Sequence, residues 1–544
     1  MATGPSTEKE NAMQIEFVGG ARTVTGSSYI VKNGTSTVMV DCGMFQGRPE
    51  IKERNHLNLI YDPPAIDAML LTHAHIDHSG LIPKIVKEGY KNSIFATDAT
   101  TDLCTIMLPD SAHVQEMDIE WTNRRQRKMG RDPVAALYSV EDAQESLKYF
   151  KPQSYGAEFE VLPGFRARFR DAGHILGSSF IEMWVEEKGK TVKIVFSGDV
   201  GSKDQAIIRD PETVNDADIL FIESTYGDRL HKSREDTYAE FKKVILDSYN
   251  KQGNIVIPSF AIERTQEIIY TLARLFKAGE LPPIPVYIDS PLAISATEIF
   301  KKNEHMFDQD AIKIILSGEN PLDFPGLHFT RSTEESKRLN DEAKGAIIIS
   351  ASGMCTAGRI KYHLMNNLYR PESCVVFVGY QAEGTLGRRL VDGEKRVRIF
   401  GEDVAVRAKV HTLGGFSAHA DRDGLLDWMG AIKNDKLRVF VVHGEETASL
   451  AFAATVRERF GFEAYVPRWG EIVDVESMKG SVAAYGAGVT PAPDTEIEEM
   501  RRTIDMLIKK YYKAKEENRI FQAKKLEHDI NDLTEMARNI ADEI

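Results

Sequence analysis

The block His73-Ala74-His75-Ile76-Asp77-His78 follows directly on the apolar, strand-like AMLLT, and few folds can accommodate it. The apolar run predicts a buried strand, so three imidazoles and a carboxylate crowd the point where that strand emerges. Gathering four ionisable groups there is costly unless a cation offsets the cost. Imidazole and carboxylate are donors for borderline-soft divalent ions, and the block reads as the nucleus of a metal centre. It can address two ions from opposite sides but cannot complete two cages. Further donors are expected at later strand ends, where three candidates stand: His174 in DAGHILGSS, Asp199 closing KIVFSGD and His443 closing LRVFVVHG. Taken singly, each is open between ligand and structural residue. One bridging carboxylate with a histidine closing each site would hold two zinc ions roughly 3.5–4 Å apart, an arrangement suited to phosphoryl chemistry.

Around this block the chain changes rhythm twice. Residues 13–224 read as short strands joined by turns, with Asn33-Gly34 as a hairpin signal. From about Thr225, apolar strands alternate with amphipathic helices, the pattern of a parallel, doubly wound sheet. Near Val404 the first character returns and runs to about residue 485. The simplest account is an α/β domain (225–403) inserted into another whose chain resumes at 404–485. After the Gly/Pro-rich Gly486–Asp494, residues 495–544 keep apolar positions at alternating three–four spacing, out of register around Phe521. They read as a helical extension: one long helix with a stutter, or a helical hairpin.

Composition narrows the class. A net charge of −14 argues against a protein that coats nucleic acid by bulk charge, but leaves room for a local basic groove. Cys42, Cys104, Cys355 and Cys374 form no CxxC pair, which suits a reducing compartment. No apolar run reaches the roughly 20 residues of a membrane span. The polar opening MATGPSTEKENAMQ lacks a signal-peptide core, so a cytoplasmic location is expected.

HAHIDH, with Asp41 in VDCG, His174 and Asp199, resembles the metallo-β-lactamase superfamily. FIESTYGDR (Glu223), GGFSAHAD (His419) and VVHGE (His443) narrow the resemblance to its β-CASP nuclease branch, supported by PSFAIERTQE, DSPLA, ASGMCTAGRI and VGYQAEGTLGRRL. It covers about Met13 to Val475. The resemblance implies an α/β protein: an αββα metallo-β-lactamase sandwich carrying an inserted, doubly wound β-CASP domain. It also implies that His73, His75 and His174 hold one zinc, that Asp77, His78 and His443 hold the other, and that Asp199 bridges. Mn²⁺ is an alternative occupant. Asp41 would orient a ligand or the nucleophile. His419, positioned by Glu223, would protonate the leaving oxygen or steady the scissile phosphate. Without the resemblance, His419 reads equally as a helix-start histidine and Glu223 as an ordinary strand-end carboxylate.

A lid-sized insertion over a metal site predicts an interdomain cleft and a polymeric substrate. Basic candidates for gripping it are Arg124 and Arg125 in NRRQRK, and Arg388 and Arg389 after GYQAEGTLG, with Ser417 inside GGFSAHAD. For the first cluster, a solvated helix face is an equal reading. The histidine at 443 resembles RNA-processing rather than DNA-repair members. The expected activity is therefore a zinc-dependent ribonuclease on single-stranded RNA, an endonuclease with 5′–3′ exonuclease action as a second mode. A small-molecule hydrolase, a DNA-directed nuclease and a catalytically silent scaffold are the alternatives. A homodimer aided by the terminal helices is the expected assembly.

Overall fold

The computed structural model describes residues 13–475, apart from 343 and 383, together with 480–482. The helical extension expected at 495–544 lies outside the described residues.

Period-two burial builds the first layer pair. In the strand Phe165–Asp171 (FRARFRD), Phe165, Ala167 and Phe169 point inward while the arginines between them stay half-exposed. Such strands form two sheets. One runs, edge to edge, through 480–482, Glu471–Asp474, Gln14–Phe17, Tyr29–Lys32, Thr37–Val40, Ala68–Leu70, Ile94–Thr97 and Phe150–Gln153. The other runs Glu463–Tyr465, Arg438–Val442, Ile219–Glu223, Lys190–Phe196, Ser179–Glu187, Phe165–Asp171 and Glu158–Leu162. Their facing sides share a core rich in aromatic rings; Phe221 stacks on Phe196 at 4.3 Å and on Phe17 at 5.5 Å. Helices Ile82–Lys87, Asp98–Lys128 and Val140–Ser146 pack on the outer face of the first sheet. Helices Arg422–Met429 and Glu446–Phe460 pack on the outer face of the second. The result is an αββα sandwich.

The insertion forms a six-stranded, all-parallel sheet in the order Leu327–Phe329, Val286–Ile288, Ile347–Ser350, Ile255–Pro258, Cys374–Phe377, Lys409–Thr412. Its four central strands are short, largely buried apolar runs, as a sheet covered on both faces requires, while the edge strands LHF and KVHT are only partly buried. The expected boundary at 403/404 needs correction. Lys409–Thr412 pairs in parallel with Cys374–Phe377 and so closes the inserted sheet. The residues before it, Arg396–Ile399 and Glu402–Ala405, form a separate antiparallel hairpin. The chain then returns to the sandwich: Ala420 donates to Val200 O, helix Arg422–Met429 packs on the second sheet, and Arg438–Val442 joins that sheet in parallel beside Ile219–Glu223. Among the described residues, no helix is long and apolar enough to cross a membrane.

Candidate metal centre

Four segments deliver polar side chains to one edge of the sandwich. The chain leaves Ala68–Leu70 through Leu71-Thr72 and enters the short helix Ile76–Ser79, so His73, His75, Asp77 and His78 project from one tight turn. His174 sits in the bend after Phe165–Asp171, where its amide and that of Ile175 both donate to Ser178 Oγ. Asp199 follows Lys190–Phe196 and the left-handed Gly198 (φ 53°). His443 follows Arg438–Val442 with a left-handed φ of 46°, a conformation costly for a residue with a Cβ.

Asp199 joins the two halves of the cluster. Its Oδ2 lies 3.5 Å from both His73 Nε2 and His174 Nε2. Its Oδ1 lies 3.2 Å from His78 Nε2 and 3.4 Å from His443 Nε2. On the Oδ2 side, His75 Nδ1 comes within 3.1 Å of His73 Nε2 and 3.2 Å of His174 Nε2. Asp77 joins His78 and His443 in the second donor group.

These residues fit metal ions better than they fit one another. Asp199 Oδ1, His78 Nε2 and His443 Nε2 are buried without a hydrogen-bond partner, a state that ordinary folding leaves rare. Donors about 2.0–2.1 Å from a tetrahedral zinc would stand roughly 3.3–3.4 Å apart, close to the spacings observed. Burial drives His75 and His443 down to about 3 and holds His73 and His174 well below the usual imidazole range, so all four offer lone pairs. Burial works against a charged His78, yet the carboxylates of Asp199 and Asp41 hold it well above that range. A cation between His78 and Asp199 would displace that proton. Burial also lifts the Asp77 carboxyl to about 6.

The back of the cluster is wired to the fold. Asp41 (φ 58°) accepts from the Thr72 amide at 2.8 Å and the Thr72 hydroxyl at 2.9 Å, and its Oδ2 lies 2.8 Å from His78 Nδ1. That contact puts the His78 proton on Nδ1 and turns Nε2 toward Asp199. Ser27 Oγ does the same for His443 Nδ1 at 2.7 Å. Neither Ser27 nor Thr72 carries a signal in the sequence; each is one small hydroxyl among many.

Glu223 and His419 stand beside the cluster, forming a third donor group with Asp199. The Glu223 carboxylate already accepts from the Val200 amide at 2.8 Å and from His419 Nδ1 at 3.1 Å, so this group has no free donor set for another ion. His419 Nε2 is left facing Asp199 Oδ2 at 3.9 Å. Burial opposes a charged His419, but Glu223 and then Asp199 raise it to about 9.

The expected substrate-gripping residues are placed differently. Ser417 is buried and hydrogen-bonded to Tyr226, whose ring lies 6.1 Å from that of His419. Arg388 pairs with Asp392 and Arg389 with Glu394, each at 2.7–2.9 Å. Arg124 and Arg125 lie near the end of the helix Asp98–Lys128, where Arg124 pairs with Glu120 at 2.5 Å on an exposed face. Half-exposed Phe260, at the start of the insertion's first crossover, reaches within 6.5 Å of the His75 ring. Its place in PSFAIERTQE was legible as a motif but not as a cleft wall.

An αββα sandwich with a buried His/Asp cluster at its edge is the architecture of a metal-dependent hydrolase. Family models for the metallo-beta-lactamase superfamily match residues 21–99, for the Beta-Casp domain residues 265–390, and for the Zn-dependent metallo-hydrolase RNA specificity domain residues 403–467. The chain belongs to the β-CASP branch of the metallo-β-lactamase superfamily. It is 39% identical over 463 residues to Ribonuclease TTHA0252 of Thermus thermophilus, covering 85% of this chain and 100% of that protein. It is 30% identical to an RNase J-like protein of Methanocaldococcus jannaschii, covering 85% of this chain and 99% of the relative. Transcription termination factor FttA of the same organism is 29% identical, over 84% of this chain and 70% of its own length.

Proposed function

We propose that this protein is a zinc-dependent ribonuclease that hydrolyses RNA phosphodiester bonds with two ions per chain. The observation that carries the reading is Asp199, whose two oxygens each face a separate set of histidine donors. His73, His75 and His174 would hold one ion, Asp77, His78 and His443 the other, and Asp199 both. Two zinc ions bound there would supply a hydroxide at neutral pH and neutralise charge building on the phosphate; Mn²⁺ would serve the same donors.

The remaining chemistry belongs to the chain. Asp41 and Ser27 hold the rings of His78 and His443 in one tautomer, so the donor atoms stay aimed without reorganisation. Glu223 accepts from His419 Nδ1 and keeps that imidazole protonated near neutral pH. His419 Nε2 is then the proton source for the departing O3′, or a charged donor to a phosphate oxygen. RNA as substrate is supported by the relatives' names and by the RNA specificity domain that matches residues 403–467. Internal cleavage with 5′–3′ trimming as a second mode is the proposed action. The four buried, unpaired cysteines support a cytoplasmic setting. A homodimer is proposed for the assembled state, to be checked by light scattering with and without residues 490–544.

The deciding experiment incubates purified protein with an end-labelled RNA, with and without chelator, beside a DNA oligonucleotide of the same sequence. Chelator-sensitive cleavage of the RNA alone is the expected result. Cleavage of neither strand, or of DNA in preference, would remove the proposal.

A further inference from the structure

The outer surface of the inserted domain carries aromatic rings in the wrong place for a core. Of the five aromatic side chains most exposed among the described residues, Tyr362 and Phe400 (50% and 44%) lie ring to ring, and Tyr369 (47%) stands in the turn after the helix that carries Tyr362. That helix is Ile360–Asn367. Phe400 sits at the tip of the hairpin Arg396–Ile399/Glu402–Ala405, its ring 4.5 Å from that of Tyr362.

Phe400 is held there against its backbone preference. Ile399 pairs with Glu402, so Phe400 and Gly401 form a two-residue turn with φ of 51° and 87°. Such turns favour Asn-Gly, and a bulky residue at the first position is strained. The inner face of the hairpin needs no help from it: Val397, Ile399 and Val404 already bury against Ile360, Leu364 and Leu368.

The rings are dressed with cations. Lys361 Nζ lies 4.7 Å over Phe400, and the Arg370 guanidinium 5.6 Å from Tyr369. Arg396 and Arg398 project from the exposed side of the hairpin, facing Ala405 and Asp403 across it. The Arg407 amide donates to Leu368 O, next to Tyr369. Lys361, Arg370, Arg396, Arg398 and Arg407 stand against Glu372, Glu402 and Asp403, so cations outnumber acids here although the whole chain carries −14. Lys361 also faces the sandwich: with Lys52 of the short helix Pro49–Glu53, it acts electrostatically on Asp118 of the helix Asp98–Lys128.

We propose that Tyr362, Tyr369 and Phe400, with Lys361, Arg370 and Arg398, form a landing surface for the flank of a single-stranded RNA whose scissile bond lies at the metal centre. This rests on the ribonuclease reading. Exposed π-faces with cations beside them match alternating bases and phosphates, and stacking of that kind tolerates any sequence. A protein partner would also use aromatic and arginine anchors, and the mass per particle in the test below separates it from RNA.

The test uses the full chain carrying Tyr362→Gln with Phe400→Asn. Asn-Gly is the preferred pair for that turn, so the fold is retained. Fluorescence anisotropy follows a cleavage-resistant 2′-O-methyl RNA of about 25 nucleotides and one of about 6, and cleavage is timed on a short RNA. The expected result is a loss of long-RNA affinity of about tenfold or more. Short-RNA binding and kcat/KM should stay within about twofold, and Phe400→Trp should retain long-RNA affinity. Long-RNA affinity equal to the parent's overturns the proposal; a simultaneous change in mass per particle would make the patch a protein interface instead. A parent protein that cleaves no RNA at all removes the ribonuclease reading, and this proposal with it.

Discussion

Ser27 Oγ lies 2.7 Å from His443 Nδ1, bridging residues that are 416 positions apart in the chain. The contact spends the Nδ1 proton on a hydroxyl and leaves Nε2 as the donor facing Asp199. Ser27→Ala would free the ring to rotate and leave Nδ1 buried without a partner. Loss of such a supporting hydrogen bond typically costs 10–100-fold in metal affinity. Dialysis against graded chelator followed by elemental analysis should show one of two ions leaving the variant first. Equal retention of both ions by variant and parent would remove Ser27 from this role.

Asp199 gives a sharper contrast. Because its two oxygens face different donor sets, Asp199→Ala should empty both sites, whereas His75→Ala should weaken chiefly the Oδ2-side site. Both variants should lose RNA cleavage. Metal content separates them: near zero for the aspartate variant, about half the parent's for the histidine variant on the two-metal reading. An Asp199→Ala protein that keeps a full complement of ions would contradict the bridging geometry.

The cluster was legible in the sequence because each donor follows closely on a strand, and strand ends on one side of a sandwich converge. The wiring behind it was not. Ser27 and Thr72 differ from any other hydroxyl only through partners the fold brings to them. The end of the insertion was misjudged for a related reason. VAVRAKVHTL alternates as an edge strand should, but alternation does not say which sheet a strand joins, and Lys409–Thr412 joins the parallel one. The glycine-rich context makes Arg388 and Arg389 candidates for gripping the substrate strand. Asp392 and Glu394, four and five positions on, already pointed to the local ion pairs that form.

His419 and Glu223 make a prediction in pH. Glu223 lies outside the two ion cages, so its pull on His419 persists whatever fills them. If His419 acts as the acid, its contribution is complete below its raised pKa and is lost as pH rises through it, giving the profile an alkaline limb. Glu223→Gln removes the main charge that raises it, and the alkaline limb should move to lower pH. His419→Ala should slow cleavage by about 10²–10⁴-fold and flatten that limb while metal content stays at the parent's level. A His419→Ala protein stripped of zinc would show that the residue holds an ion instead.

Asp171 ties stability to pH without touching the chemistry. It ends the strand Phe165–Asp171, is 8% exposed, and accepts the Gly173 amide at 2.9 Å. Burial raises its carboxyl from 3.8 to about 7; the Gly173 contact opposes this and Glu212 adds to it. Between those two values the unfolded chain has released a proton that the folded chain retains. Stability from this group is therefore complete below about 4, declines as pH rises to about 7, and is flat beyond. Asp171→Asn keeps an oxygen for Gly173 and removes the titration. In urea unfolding at fixed zinc, the variant should exceed the parent by up to about 4 kcal/mol at pH 8. The gap should narrow steadily as the pH is lowered toward 5. A gap that does not change with pH would mean that the carboxyl ionises in the folded protein as it does in water, and that the bend holding His174 tolerates the charge.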